Sequence, residues 1–174
     1  RDEVIRREMR ILESDRYNGE LVRVSQARIQ RLGFFESVDV REVSTSDPQV
    51  MNLDVEVAER RTGQFQVGAG FSSVESFIAT ATVAQNNLFG RGQTLQLQAS
   101  FSAIRTIFSL GFNEPYLFGT PWHFGFEIFN REILFTDFPR RSLGFSLTGG
   151  YPITDDVTAS LTYQLEDVDV EAGG

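Results

Sequence analysis

His123 is the only histidine, the residue type that most often serves as a general base in enzymes. Hydrolysis through it would need a nucleophile and an orienting carboxylate within hydrogen-bond reach. No such constellation is legible. His123 lies between Trp122 and Phe124 and reads as a polar-phase residue of a strand. Two acidic groups, Asp155-Asp156 and Asp167-Asp169-Glu171, offer the oxygen ligands calcium takes. They fall where turns are expected and read as solvated carboxylates. Arg60-Arg61 and Arg140-Arg141 sit at expected strand ends, suited equally to lipopolysaccharide phosphates and to ordinary interfacial charge. The stretch 87–92 holds two glycines, but no strand–loop–helix context makes it a phosphate loop. The expectation is a protein that is not an enzyme, with no catalytic residue, no cofactor and no metal.

The elements that must carry these residues are set by a two-residue rhythm from Gln64 to Asp167. Leu95, Leu97, Ala99 and Phe101 alternate with Thr94, Gln96, Gln98, Ser100 and Ser102. Strand side chains point to opposite faces with period two, so one face is apolar and the other polar. The rhythm returns in Phe65-Val67-Ala69-Phe71, Trp122-Phe124-Phe126-Ile128, Leu143-Phe145-Leu147 and Val157-Ala159-Leu161-Tyr163-Leu165. Residues 77–85 and 104–113 are noisier but compatible. About seven strands of roughly ten residues result, the length a tilted strand needs to cross a bilayer. Strands of soluble sandwiches are shorter.

Composition agrees. No run of eighteen apolar residues occurs, which excludes a membrane-spanning helix but not a barrel. Residues 1–61 hold 24 of the 40 charged residues, whereas 13 of 15 glycines and 14 of 16 phenylalanines follow them. That break divides the chain into 1–61 and 62–174. Every basic residue is arginine and the net charge is −8, so nothing marks a nucleic-acid partner. The chain has no cysteine and starts at Arg1 without a signal peptide, so it reads as a piece of something longer.

In the first segment, residues 2–13 predict a helix with Asp2 as N-cap and Ile5, Met9 and Leu12 on one face. A second helix runs from Asn18, its N-cap, to Gly33. Two strands follow, one with Phe35, Val38 and Val40, the other with Met51-Leu53-Val55-Val57; 44–48 is turn chemistry. The order is α-α-β-β. Two strands make a marginal sheet, so a partner strand is expected ahead of Arg1.

Ile5-Arg6-Arg7-Glu8-Met9, Glu13 and Arg28-Ile29-Gln30-Arg31-Leu32-Gly33-Phe34-Phe35-Glu36-Ser37-Val38 resemble the last POTRA module of BamA-type outer-membrane insertases. That resemblance implies the order β-α-α-β-β, which would make the first strand the absent piece. Three aromatic, Gly- and Pro-rich turns, at 86–92, 114–121 and 151–156, resemble the periplasmic turns of the same barrels. They alternate with turns of variable type at 72–76, 102–105 and 131–140. Counting strands puts all three on the POTRA side, where Tyr116, Phe118, Trp122 and Tyr151 would form the lower aromatic girdle. The resemblance implies an α+β POTRA module followed by the first seven strands of an antiparallel transmembrane β-barrel of sixteen. The Arg-Gly-Phe tripeptide that the family carries in a later loop does not occur here.

The resemblance further implies a function in assembly: folding client barrels into the bacterial outer membrane, with the N-terminal module in the periplasm. The pairing edge for client strands would be the first barrel strand, Gln64, Phe65, Gln66, Val67, Gly68, Ala69, Gly70 and Phe71, and Glu13 would contact a BamD-like lipoprotein. Lipid bilayer, lipopolysaccharide and nascent barrels would be the other partners. A two-partner secretion or TamA-like transporter is the alternative within the superfamily. A passive porin-like channel is the alternative outside it, and a POTRA-like arm argues against that.

Overall fold

Asn18 opens the longer helix of the N-terminal unit as its composition predicts. Its side-chain oxygen accepts hydrogen bonds from the backbone N–H of Glu20 (2.9 Å) and Leu21 (3.4 Å). In the computed structural model, which describes residues 1–47, 49–135, 138–154 and 156–170, the first unit runs from Arg1 to Thr62. It contains α1 (Asp2–Arg6), α2 (Gly19–Arg31), β1 (Phe35–Ser44) and β2 (Met51–Glu59). After α2, Gly33 takes φ +70°, the left-handed turn that releases the chain into β1. Ile29, Phe35 and Val38 form the buried centre, with Ile5, Met9, Leu32, Phe34, Val55 and Val57 packed on it. β1 and β2 are antiparallel, with a bulge between Phe35 and Ser37.

The first helix is shorter than its periodicity predicts. Arg1, not Asp2, is its N-cap, and it stops at Arg6. Glu8 N–H and Met9 N–H close back on the carbonyls three residues earlier, of Ile5 and Arg6. Arg10 N–H turns away to Ser25 Oγ (2.7 Å), and the same hydroxyl donates to the Leu21 carbonyl (2.7 Å). A side chain of α2 thus captures a donor that a longer helix would use internally. Glu8 is buried against the Arg28 guanidinium (3.0 Å). Packing on α2 overrides the local pattern.

From Gly63 onward the chain forms a second unit, one seven-stranded antiparallel sheet. Its strands are β3 (Gly63–Ser72), β4 (Ser76–Leu88), β5 (Gln93–Phe101), β6 (Arg105–Glu114), β7 (His123–Leu134), β8 (Pro139–Pro152) and β9 (Thr158–Val170). They neighbour one another in chain order. All seven expected strands are present, several longer than their clean alternation suggests. β7 and β8 together absorb most of 131–140, and β9 runs on through Asp167 and Asp169, which are strand residues and not turn residues. Asp155 and Glu171 lie outside the described residues. No described helix is long and apolar enough to cross a membrane, which leaves crossing by strands untouched.

Candidate functional site

The apolar phases of the seven strands meet on one face. Phe65 pairs with Val83, Val83 with Leu97, Leu97 with Leu110, Leu110 with Ile128, Ile128 with Phe145 and Phe145 with Leu165. Most of these side chains are exposed, Phe65 at 71% and Phe71 at 81%. Such a continuous apolar surface marks an interface. The belt is oblique to the strands. On β3 it reaches up to Phe71, whereas on β9 its last member before Asp167 is Leu165, which the register places level with Phe65, six residues lower. Six residues over six strand steps is a slope of about 35° from ordinary strand spacings. That equals the tilt of strands in transmembrane barrels, so a belt oblique in strand coordinates is level in a bilayer.

The same geometry explains charges that break the apolar phase. One register row reads Ala69, Ala79, Phe101, Thr106, Glu132, Arg141, Asp169. Its far end has climbed out of the belt. Arg141 meets Glu132 (3.1 Å) there, and Arg140 on the opposite face meets Glu166 (3.4 Å). At the other end, Trp122 and Tyr151 pack at a tilt with ring centroids 5.1 Å apart, and Phe118 projects 93% exposed from a turn at φ +52°. This end also carries the turn at 89–92, the Ile153 N–H bond to the Val157 carbonyl between β8 and β9, and the start of β3.

The opposite face is polar on β3 to β5 and mixed beyond. Gln64 and Gln66 share it with Thr80, Thr82, Gln96, Gln98 and Ser100. His123 lies on this face with its ring against Gly150, where a Cβ would stand 1.9 Å from Cε1. It is packed as a wall residue. Among the described residues no group of three His, Cys, Asp or Glu side chains could hold a metal.

The residues expected to pair with clients, Gln64 to Phe71, are all in β3, and all are exposed. Among the described residues β3, the first strand of the sheet, pairs with β4, and β9 at the other margin pairs with β8. Gly68 and Gly70 leave the polar face of β3 nearly bare of side chains.

Glu13 is not at a helix end. It lies in the irregular stretch after α1, its side chain 86% exposed and its carboxylate 2.9 Å from the Arg6 guanidinium. Arg6 also holds Asp2 (2.7 Å), and these bonds, Asp2 first, keep its pKa above the ordinary arginine value. The stretch is shaped by Asp15, whose carboxylate accepts from Leu12 N–H (2.8 Å), and by Ser14 at φ +74°. Leu12 beside Glu13 is 69% exposed, a neighbour the helical pattern had assigned to the apolar face.

Comparison with known proteins agrees with this geometry. Residues 1–60 match the POTRA family, described as surface antigen variable number repeat, and residues 87–174 match the Omp85 superfamily domain. The chain belongs to the Omp85 superfamily. Among Omp85 relatives, "Outer membrane protein assembly factor BamA" of Nitratidesulfovibrio vulgaris is 32% identical over 166 residues, 95% of this chain and 21% of that protein. The protein of the same name from Neisseria meningitidis serogroup B is 33% identical over 132 residues, 75% of this chain and 17% of its own length. A crystal structure of BamA from Haemophilus ducreyi lacking POTRA domains 1–3 superposes with a TM-score of 0.87 at 25% identity, covering 98% of this chain and 34% of that one. The chain thus spans about a fifth of the length of these curated relatives. It is an outer-membrane Omp85 protein with a periplasmic POTRA module.

Proposed function

We propose that this chain is part of an assembly factor that folds and inserts client β-barrels into the outer membrane, without catalysing a chemical reaction. A nascent barrel strand in lipid carries unpaired backbone groups, each costing several kcal/mol. A strand edge that offers donors and acceptors removes that cost while the client barrel closes. The supporting observation is β3, the strand that follows the POTRA module, whose Gly68 and Gly70 leave few side chains to lock the seam where a barrel would close on it. Client strands would add to Gln64–Phe71 by β-augmentation, which reads backbone and so serves many sequences. A porin-like channel has no use for a POTRA module, and the module is present.

The end bearing Trp122 and Tyr151 would be the periplasmic rim, and the charged end of β7 to β9 the outer one. Glu13 would contact a BamD-like lipoprotein through its exposed carboxylate. Lipopolysaccharide phosphates at the outer rim would have to compete with Glu166 and Glu132 for Arg140 and Arg141.

The test is disulfide trapping in the full-length protein. Single cysteines at Gln64 and Gln66 should cross-link to a cysteine-scanned terminal strand of a barrel precursor in one consistent register. Cross-links confined to the turns at 89–92, 115–122 and 153–157 would sink the edge-pairing reading.

A further inference from the structure

Ser72-Ser73-Val74-Glu75 and Ser102-Ala103-Ile104-Arg105 are two turns built alike, at the end of the sheet opposite Trp122 and Tyr151. In the first, Ser72 Oγ accepts from Val74 N–H (3.2 Å) and Glu75 N–H (3.4 Å). In the second, Ser102 Oγ accepts from Ile104 N–H (3.4 Å), and Ser102 N–H donates to the Arg105 carbonyl (2.7 Å). A hydroxyl that takes local N–H groups fixes a turn without help from a glycine. Ser76, next to Glu75, stands at φ +58°, a left-handed conformation uncommon outside glycine. Each turn carries its one charge at the fourth position, and the two charges are opposite.

The two turns meet. Ala103 N–H donates to the Glu75 carbonyl (3.2 Å), and Arg105 Nη2 lies 3.0 Å from Glu75 Oε2. β4 and β5 stop pairing at Ala79 and Phe101, below both turns, so these contacts extend beyond the ladder. The rim continues to β7, where Leu134 N–H donates to the Ile104 carbonyl (2.7 Å). Glu75 Oε2 and Arg105 Nε are sealed from solvent, and neither has a hydrogen-bond partner among the described residues. Arg141–Glu132, on the same sheet, is exposed on both sides and of the kind that contributes little. A shielded pair is screened less by salt, and removing one member leaves the other's charge unanswered. Both turns join strands that pair within the chain, so the contact owes nothing to how the barrel closes.

We propose that Glu75 and Arg105 are positioning residues for insertion, a latch that ties the outer tip of the β3–β4 hairpin to the tip of β5–β6. The proposal rests on the reading above, that the seam beside β3 works in client insertion, and names what holds that strand's outer end. β3 is paired to β4 along its whole length, from Gly63 to Ser72, so the hairpin moves as a unit. Where a loosened hairpin pivots is decided by what ties its tip to the next one. With the latch shut, the outer tip follows β5, β6 and β7, and the seam is held at that end. With the latch broken, the tip swings on its own and the seam loosens without a client.

The experiment uses full-length protein in lipid vesicles that hold a small trapped dye. Glu75→Gln and Arg105→Gln should each raise dye efflux several-fold and lower insertion of a barrel precursor. Glu75→Arg combined with Arg105→Glu restores an opposite pair and should bring efflux most of the way back. A second comparison is made within one chain, Glu75→Cys with Ala103→Cys in protein otherwise free of cysteine. The two positions share a backbone hydrogen bond, which brings them within reach of a disulfide. Reduced, this protein should leak as Glu75→Gln does; oxidised, it should be tight and active. Barrel folding of each variant is checked by its electrophoretic shift on boiling, and the disulfide comparison decides should neither neutral variant fold.

Efflux unchanged by both neutral variants would overturn the latch and leave Glu75–Arg105 an ordinary rim pair. So would a lower refolding midpoint with no added efflux, since the pair would then serve stability alone. Leak that neither the charge swap nor the disulfide reverses would overturn it too, because the two groups would not act as a pair. A latch that behaves as expected in efflux while client insertion stays intact would stand, and the edge-pairing reading would fall.

Discussion

The ring of Phe129 occupies the space that a side chain on Gly144 would need. A Cβ there would stand 2.6 Å from Phe129 Cζ and 2.5 Å from the Leu165 carbonyl oxygen, so the glycine admits both β7's ring and β9's backbone. The Arg131 guanidinium then covers the ring at 3.8 Å from its centroid. Gly144→Ala should destabilise the barrel by about 1–3 kcal/mol, the usual cost of overpacking. Gly149→Ala, with nothing within 4 Å, should stay within about 0.5 kcal/mol. A urea refolding titration of the full-length protein compares the two, and equal costs would refute the packing argument.

The level belt makes a second prediction. Leu97 lies in its central row, whereas Gln96, one residue away, faces the lumen. Leu97→Arg should cost roughly 2–4 kcal/mol near the bilayer midplane, and Gln96→Arg far less. The refolding titration in lipid reads both, and similar losses would mean that the faces are assigned the wrong way round.

Alternation made the sheet legible because each strand has one wet and one lipid face. Leu95 to Phe101 announce β5 from sequence alone, and Asn18 and Gly33 announce the ends of α2. Strand ends were less visible. Arg140 and Arg141 read as a strand end, as they are, but Asp167 and Asp169 looked like turn residues, since charge suggests solvent; tilt carries the ends of β8 and β9 out of the lipid while they still pair. The helix expected over 2–13 failed for a different reason. Ser25, distant in sequence, takes the Arg10 N–H, and no local pattern encodes that.

Glu13→Lys should leave the fold of the N-terminal unit intact, since the lost contact with Arg6 is between two exposed side chains. Co-purification of a BamD-like lipoprotein should weaken, because reversal removes the exposed carboxylate that the proposed contact uses. Circular dichroism and pull-down are measured on the same preparation. Unchanged binding with an unchanged spectrum would leave Glu13 as a solvated partner of Arg6 and nothing more.

The last prediction separates the two edges of β3. Along a strand, successive backbone N–H groups point to opposite sides, so one of Gln66 and Val67 donates toward β4 and the other toward the free edge. Proline removes the donor wherever it is placed. At the position facing β4 it breaks a bond within the sheet and should lower barrel stability. At the other, which faces the seam where the barrel closes, it should lower stability less yet impair insertion of client barrels more, since an incoming strand loses one partner. Gln66→Ala and Val67→Ala keep both donors and should do neither. Insertion of a radiolabelled barrel precursor into vesicles holding each variant, read beside its refolding midpoint, gives the two effects separately. Main-chain templating requires one of the two prolines to uncouple assembly from stability. Two prolines that lower both together, or two that leave client insertion intact, would mean that the free edge of β3 is not where clients are paired.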